Sequence, residues 1–299
     1  MTNATFLAQV SHQIELGYPD EAIARLTVML DLAAADSASL ADARSALRGH
    51  PVFAMLAQEP AMAIARSCGQ DRINRLISQI YTPQCAPELP ANTAMLSQIM
   101  AASSFHRAIR ARVKHASEML TRAWQDGRAI AVLGDSFDAE LAGLRGRDLS
   151  NLTISAGTPQ RAHSLAALLG PSAAITALSS ADWLATAAQA GAAFDLVYLP
   201  RAAELLNTAQ LVELLGQARQ VLAPAGSIVA PAFLAERIAR GWQQACLDWP
   251  VQEHTEAALA AACLPEHLTI RVLGDQAGCF VWLIASRPDA DQFNREERG

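Results

Sequence analysis

Lysine is nearly absent from this chain: Lys114 is the only one, and arginine supplies the rest of the positive charge. With 23 basic against 29 acidic residues the formal charge is −6, and no basic block occurs. An acidic chain without a basic stripe excludes the electrostatic footprint of a nucleic-acid binder or of a protein held to anionic lipid. The five cysteines, Cys68, Cys85, Cys246, Cys263 and Cys279, form no C-x-x-C and read as reduced, mostly buried thiols. The seven histidines are equally scattered; His106 and His115 do not share a helix face at ligand spacing, so no metal site is expected. No apolar run reaches the ~18 residues of a membrane span, and the start, MTNATFLAQVSHQIELG, lacks the layout of a signal peptide. A cytoplasmic address is expected. What is abundant is apolar residue, 52% against 17% charged, which suits a large packed core within 299 residues and argues against disorder.

Two textures divide the chain. Up to Asp126 apolar residues recur at spacings of three and four, as in 21–32, 37–47, 71–81 and 103–125, with prolines as punctuation. Beyond Gly127 short apolar runs alternate with helical patterns. Strands are predicted at 129–133, 151–155, 173–177, 194–199, 227–230, 267–273 and 279–285, and helices at 137–144, 159–169, 181–190 and 210–222. This alternation predicts an α/β fold, a seven-stranded, mostly parallel, doubly wound sheet closed by a hairpin through 274–278. The expected domains are an all-α N-terminal domain, 1–126, an α/β domain, 127–288, and a polar tail, 289–299.

The chemistry is expected at AIAVLGDSFDAEL, 129–141, where a buried strand breaks at Gly134 and runs into a helix. In an α/β protein that junction is where a nucleotide-like cofactor sits.

The layout of strands resembles class I S-adenosylmethionine-dependent methyltransferases. More narrowly, GHPVFAMLAQEPAMAIARS, DRINRLISQIY, FHRAIRARVKHASEML, FDLVYLPRAAELL, LVELLGQARQVLAPAGSIVAPAF and the triplet Leu247-Asp248-Trp249 are similar to the bacterial methyltransferase-like family of extracellular-factor (3-hydroxypalmitic acid methyl ester) biosynthesis, over roughly 49–288. The resemblance implies S-adenosylmethionine as cofactor, with Gly134, Asp135, Ser136 and Glu140 in the first loop. It puts Ser155 and Ala156 at the ribose, and Asp182 and Trp183 at the adenine. The last two serve equally well as a helix start and a core ring. Tyr198, Arg201 and His254 are the candidate catalytic or substrate contacts, Arg201 being suited to a carboxylate. Three departures weigh against the cofactor. Where the family has G-x-G-x-G-x-E, 134–140 keeps only Gly134 and Glu140; Phe137 and Asp138 put bulk and a second negative charge where a carboxylate-bearing ligand comes close, and Ala156 stands where an acid would take two ribose hydrogen bonds.

Three functions follow. The first is a methyltransferase acting on a small or lipid-like carboxylate or hydroxyl acceptor, the helical region forming a lid, a substrate wall or a homodimer surface. The second is a cofactor-free descendant serving as partner, scaffold or ligand sensor. The third is a GDSL-type esterase with Ser136 as nucleophile, which the lack of any D-x-x-H and the position of the Gly-Asp-Ser block disfavour.

Overall fold

The computed structural model describes residues 2–67, 71–82, 91–233, 240–247, 249, 252, 254, 255, 257–259, 269–274 and 280–286. Cys68, Cys85, Cys263, Cys279, Asp248, the connection 275–278 and the tail 289–299 lie outside the described residues. Two compact units divide the chain, Met1–Arg110 with Ile238–Pro250, and Ala111–Arg237 with Val251–Gly299.

The first unit is helical among the described residues: α1 (Asn3–Glu15), α2 (Pro19–Ala33), α3 (Ser37–Arg48), α4 (Pro51–Leu56), α5 (Pro60–Arg66), α6 (Arg72–Tyr81), α7 (Ala91–Ala102), the start of α8 (Ser104–Gln125) and α14 (Arg240–Ala245). The prolines act as start signals, standing at the first turn of α2, α4 and α5 where a missing N–H costs nothing. Asp36 and Glu59 cap α3 and α5 through their carboxylates, at 2.8 Å each. The stripe Leu26 and Leu30 of α2, with Leu7 and Val10 of α1 and Leu47 of α3, is fully buried.

The second unit holds a sheet of β1 (Ile130–Leu133), β2 (Leu152–Ser155), β3 (Ala174–Thr176), β4 (Phe194–Tyr198), β5 (Leu222–Phe233), β6 (Thr269–Gly274) and β7 (Phe280–Ser286). The spatial order is β3-β2-β1-β4-β5-β7-β6. All pairings among the first five are parallel, and β7 runs against both β5 and β6. Connecting helices are α9 (Asp138–Leu141) with a 3-10 turn to Leu144, α10 (Pro159–Leu169), α11 (Ser180–Gln189), α12 (Ala202–Leu205) and α13 (Thr208–Gln220). Alternation along the strands sorts side chains to two faces. Ala131, Leu133, Val197, Ile228, Ala230 and Leu283 meet α11 and α13, while Ile130, Val132, Ile154, Leu196 and Tyr198 meet α10 and the later part of α8.

Three sequence expectations are corrected. The strand expected at 227–230 extends over Leu222–Phe233, because pairing with β7 continues from Ser227 to Phe233 and Leu222 pairs with Phe194 beyond a register shift. The division expected at 126/127 stands against units that meet inside α8, since Ala116, Leu120 and Ala123 belong to the buried cluster of the sheet. The stretch 238–250 belongs to the first unit, where Gly241 N–H donates to Asp31 Oδ1 at 2.8 Å and Trp242 Nε1 to Thr27 Oγ1 at 2.6 Å. No helix among the described residues is long and apolar enough to cross a membrane.

Candidate functional site

β1 lies between β2 and β4, so the strand order reverses at the β1/β4 boundary, and the crevice beyond the carboxyl ends there is where an α/β fold takes a ligand. Gly134 ends β1 with φ at 137°, and a Cβ on it would lie 3.6 Å from Pro200 Cγ after β4. Asp135 Oδ1 accepts the Ser136 N–H at 2.7 Å. Ser136 follows with φ at 62°, a left-handed conformation unusual for a residue with a side chain, at the position where the resemblance calls for glycine. Its Oγ is fully buried with no hydrogen-bond partner among the described residues. A nucleophilic serine needs a base within hydrogen-bond reach, so the esterase reading is not supported.

Phe137 does not crowd the crevice. Its ring is fully buried in the core on the α8 and α10 side, with the Arg161 guanidinium 5.4 Å from its centroid. Nor is Asp138 a loose negative charge. Arg161 of α10 donates to both of its oxygens, Nη1 to Oδ2 at 2.9 Å and Nη2 to Oδ1, and Arg161 Nε stands 3.8 Å from Asp135 Oδ1. Both sequence expectations are corrected: the left-handed turn at Ser136 sends Phe137 into the core, and Arg161 of α10 brings a cation to Asp138.

Glu140 is buried as well, in a charged cluster that sequence reasoning missed. Tyr198 Oη at the end of β4 donates to Glu140 Oε2 at 2.8 Å, and Arg112 Nε of α8 lies 3.2 Å from Glu140 Oε1. Arg112 Nη1 donates to Glu204 Oε1, and Arg201 Nε donates to Glu204 Oε2 at 2.9 Å. Arg112, Glu140 and Glu204 have no side-chain exposure. Burial raises the Glu140 carboxyl to about 7, against the lowering effect of Arg112. Burial first, and then the Glu140 charge, lift the Tyr198 phenol well above its ordinary value. Arg112 could have been found, since it continues the buried stripe Ala116, Leu120 and Ala123 of α8, where a cation needs a partner. Glu204 had a weaker signal, its spacing of three from Arg201.

The remaining candidates are also engaged. Ser155 Oγ donates to the Leu178 carbonyl at 2.7 Å, and the Ala156 N–H donates to Thr176 O at 2.9 Å. Asp182 accepts the Ser179 hydroxyl at 2.6 Å in the cap of α11. Trp183 sits in the core, its ring centroid 5.4 Å from that of Phe194. Of the two readings open for this pair, the helix start and the core ring are observed. His254 is a buried residue, its Nε2 2.8 Å from the Ala203 carbonyl and its Nδ1 3.4 Å from Thr208 Oγ1. Both ring nitrogens of this candidate catalytic residue thus face protein oxygens. The structure thus joins Glu140, Tyr198 and Arg201 in one cluster, and leaves Asp182, Trp183 and His254 in separate surroundings. Among the described residues no group of three His, Cys, Asp or Glu side chains could hold a metal.

No family model and no curated protein matches this chain. Solved structures do. The chain is similar to a possible exported protein from Bordetella parapertussis, with 18% identity and a TM-score of 0.57 over 86% of this chain and 97% of that one. It is also similar to magnesium protoporphyrin IX methyltransferase from Synechocystis PCC 6803 with bound S-adenosylmethionine, with 12% identity and a TM-score of 0.43 over 70% of this chain and 88% of that one. A third match is an O-methyltransferase family protein from Burkholderia thailandensis, with 17% identity and a TM-score of 0.44 over 78% of this chain and 64% of that one. At 18% identity the likeness to the first is one of fold, a mixed α/β chain with a mostly parallel sheet.

Proposed function

We propose that the second unit retains a methyltransferase-type fold as a scaffold and does not use S-adenosylmethionine, so that the chain works by binding a partner or ligand. One observation carries this reading: Glu140, Tyr198 and Arg201, three of the candidates for the site, are turned toward Arg112 and Glu204 in a buried ion cluster. The residues at the reversal point do not fit the cofactor. Ala156 offers no acid for the ribose, the Ser155 hydroxyl is taken by Leu178, Asp182 is taken by Ser179, and Trp183 is packed against Phe194. Losing the charge-assisted ribose pair alone costs on the order of 1.5–3 kcal/mol per bond, one to two decades of affinity each.

Calorimetric titration with S-adenosylmethionine and S-adenosylhomocysteine is expected to give no saturable heat and no thermal shift at millimolar ligand. Saturation in the micromolar range overturns the reading. The double variant Ser136→Gly, Ala156→Asp is expected to stay silent too, because the ion cluster and the Arg161 bridge remain in place.

The strand order, with β7 opposed to its neighbours, favours a second reading, methyl transfer to a small or lipid-like acceptor. Such transfer needs chiefly in-line positioning of the acceptor, so the lack of a free base does not oppose it. The same titration separates the two. A cytoplasmic, paired chain of the extracellular-factor biosynthesis type is the narrower form of this second reading.

A further inference from the structure

The first unit contains a cavity of about 380 Å³ that the reading of the second unit does not use. Its size falls within the roughly 300–1,000 Å³ usual for small-molecule sites. The wall is mainly apolar, with Ile23 of α2, Met100 of α7, Phe105 of α8, Trp242 of α14 and Leu247. Two of its polar groups are already satisfied, since Thr27 Oγ1 donates to the Ile23 carbonyl at 2.8 Å and accepts from Trp242 Nε1 at 2.6 Å.

His106 is different. The Ser103 hydroxyl oxygen accepts the His106 backbone N–H at 3.3 Å, and lies 2.9 Å from Nδ1. With the Ser103 hydroxyl donating to Nδ1, the tautomer adopted for the proposal below, the ring proton lies on Nε2 of a residue that lines the cavity. Burial, aided by the Arg110 charge, lowers the His106 pKa to about 4, so the ring is neutral near pH 7. Arg110 itself is turned to the Ala101 carbonyl oxygen, and the only carboxylate in the lining among the described residues is Asp20, which is exposed. A cavity with one neutral donor, one carboxylate and no free cation in its lining repels anions.

We propose that this cavity binds a neutral, mainly apolar ring compound carrying one hydrogen-bond acceptor, such as a ketone or ester carbonyl, which takes the proton of His106 Nε2. The neutral naphthyl ketone prodan has this chemistry, and dimethylaminonaphthalene is its counterpart without the carbonyl. Fluorescence titration of the full chain is expected to show saturable binding of one prodan per chain, with no competition from naphthoate. His106→Phe keeps the ring volume and removes the donor. It is expected to weaken prodan about tenfold while leaving dimethylaminonaphthalene unchanged, as befits the loss of one hydrogen bond.

Ala24 and Ala102 line the cavity from different helices and are exposed, so Ala24→Trp and Ala102→Trp fill it at little cost to folding. Each is expected to abolish binding in a protein with the parental melting temperature. Absence of saturable prodan binding overturns the proposal, as do competition by naphthoate, equal losses of both probes in His106→Phe, and parental affinity in the folded tryptophan variants. None of these outcomes depends on whether S-adenosylmethionine binds.

Discussion

A guanidinium taken out of water costs several kcal/mol unless carboxylates face it, and Arg112 has two, Glu140 and Glu204. Truncating the cation strands both acids. Arg112→Met is therefore expected to destabilise the second unit by about 3–5 kcal/mol, read as a fall in the urea midpoint, since breaking a buried pair leaves an uncompensated charge. A loss below about 1 kcal/mol would place the residue among the weak surface pairs instead. The hydrophobic stripe of α8 makes Arg112 visible as an anomaly in the sequence, yet its partners are invisible there. Glu204 is 92 positions away along the chain, and only the fold brings the two together. Phe137 teaches the converse. Its bulk was legible, but the direction of its side chain, into the core and away from the crevice, depends on the left-handed turn at Ser136.

At the scale of elements, α14 approaches α2 closely through Gly241. A Cβ on that residue would lie 2.3 Å from the Leu30 carbonyl carbon, which is backbone and cannot step aside. Gly241→Ala is expected to cost about 1–3 kcal/mol, the range for overpacking. It should also break the Trp242 to Thr27 hydrogen bond, read as a change in tryptophan emission. An unchanged emission and melting temperature would mean that the close approach carries no constraint. The helices α2, α3, α6 and α8 were legible because an amphipathic stripe repeats over about three or more turns. The short α12 and α14 were not, since four to six residues hold too little periodicity to stand above noise. β5 was read too short because Pro224 and Gly226 punctuate it, and β4 pairs on both sides of that punctuation, at Leu222 and at Ser227, while β7 pairs from Ser227 to Phe233.

For the whole molecule, two compact units are expected to unfold as two calorimetric transitions, in which His106 and Glu140 contribute with opposite pH dependence. In the first unit the pKa of His106 falls from 6.5 to about 4 on folding. The unfolded chain binds the extra proton, so this contribution to stability is complete above pH 6.5 and is lost as pH falls toward 4. In the second unit that of Glu140 rises from 4.5 to about 7, so its contribution is complete below pH 4.5 and is lost as pH rises through 7. Between pH 5 and about 7 His106 should therefore raise the first transition, against the carboxyls of half-buried Asp31 and buried Glu59, while the second declines; His106→Phe should lower the pH slope of the first and Glu140→Gln should remove the decline of the second. A single transition, or pH slopes unchanged in His106→Phe and Glu140→Gln, would contradict this.

The sequence by itself determined the fold class, for alternation and helical period are local properties that burial on one or two faces imposes on neighbouring residues. It also located the loop after β1. The contacts made in that loop needed the folded chain, because Arg112, Glu140, Tyr198 and Glu204 meet, and Arg161 meets Asp138, by crossing between distant elements. Charge pairing in a low-dielectric interior depends on distance in space and leaves no periodic trace along the chain.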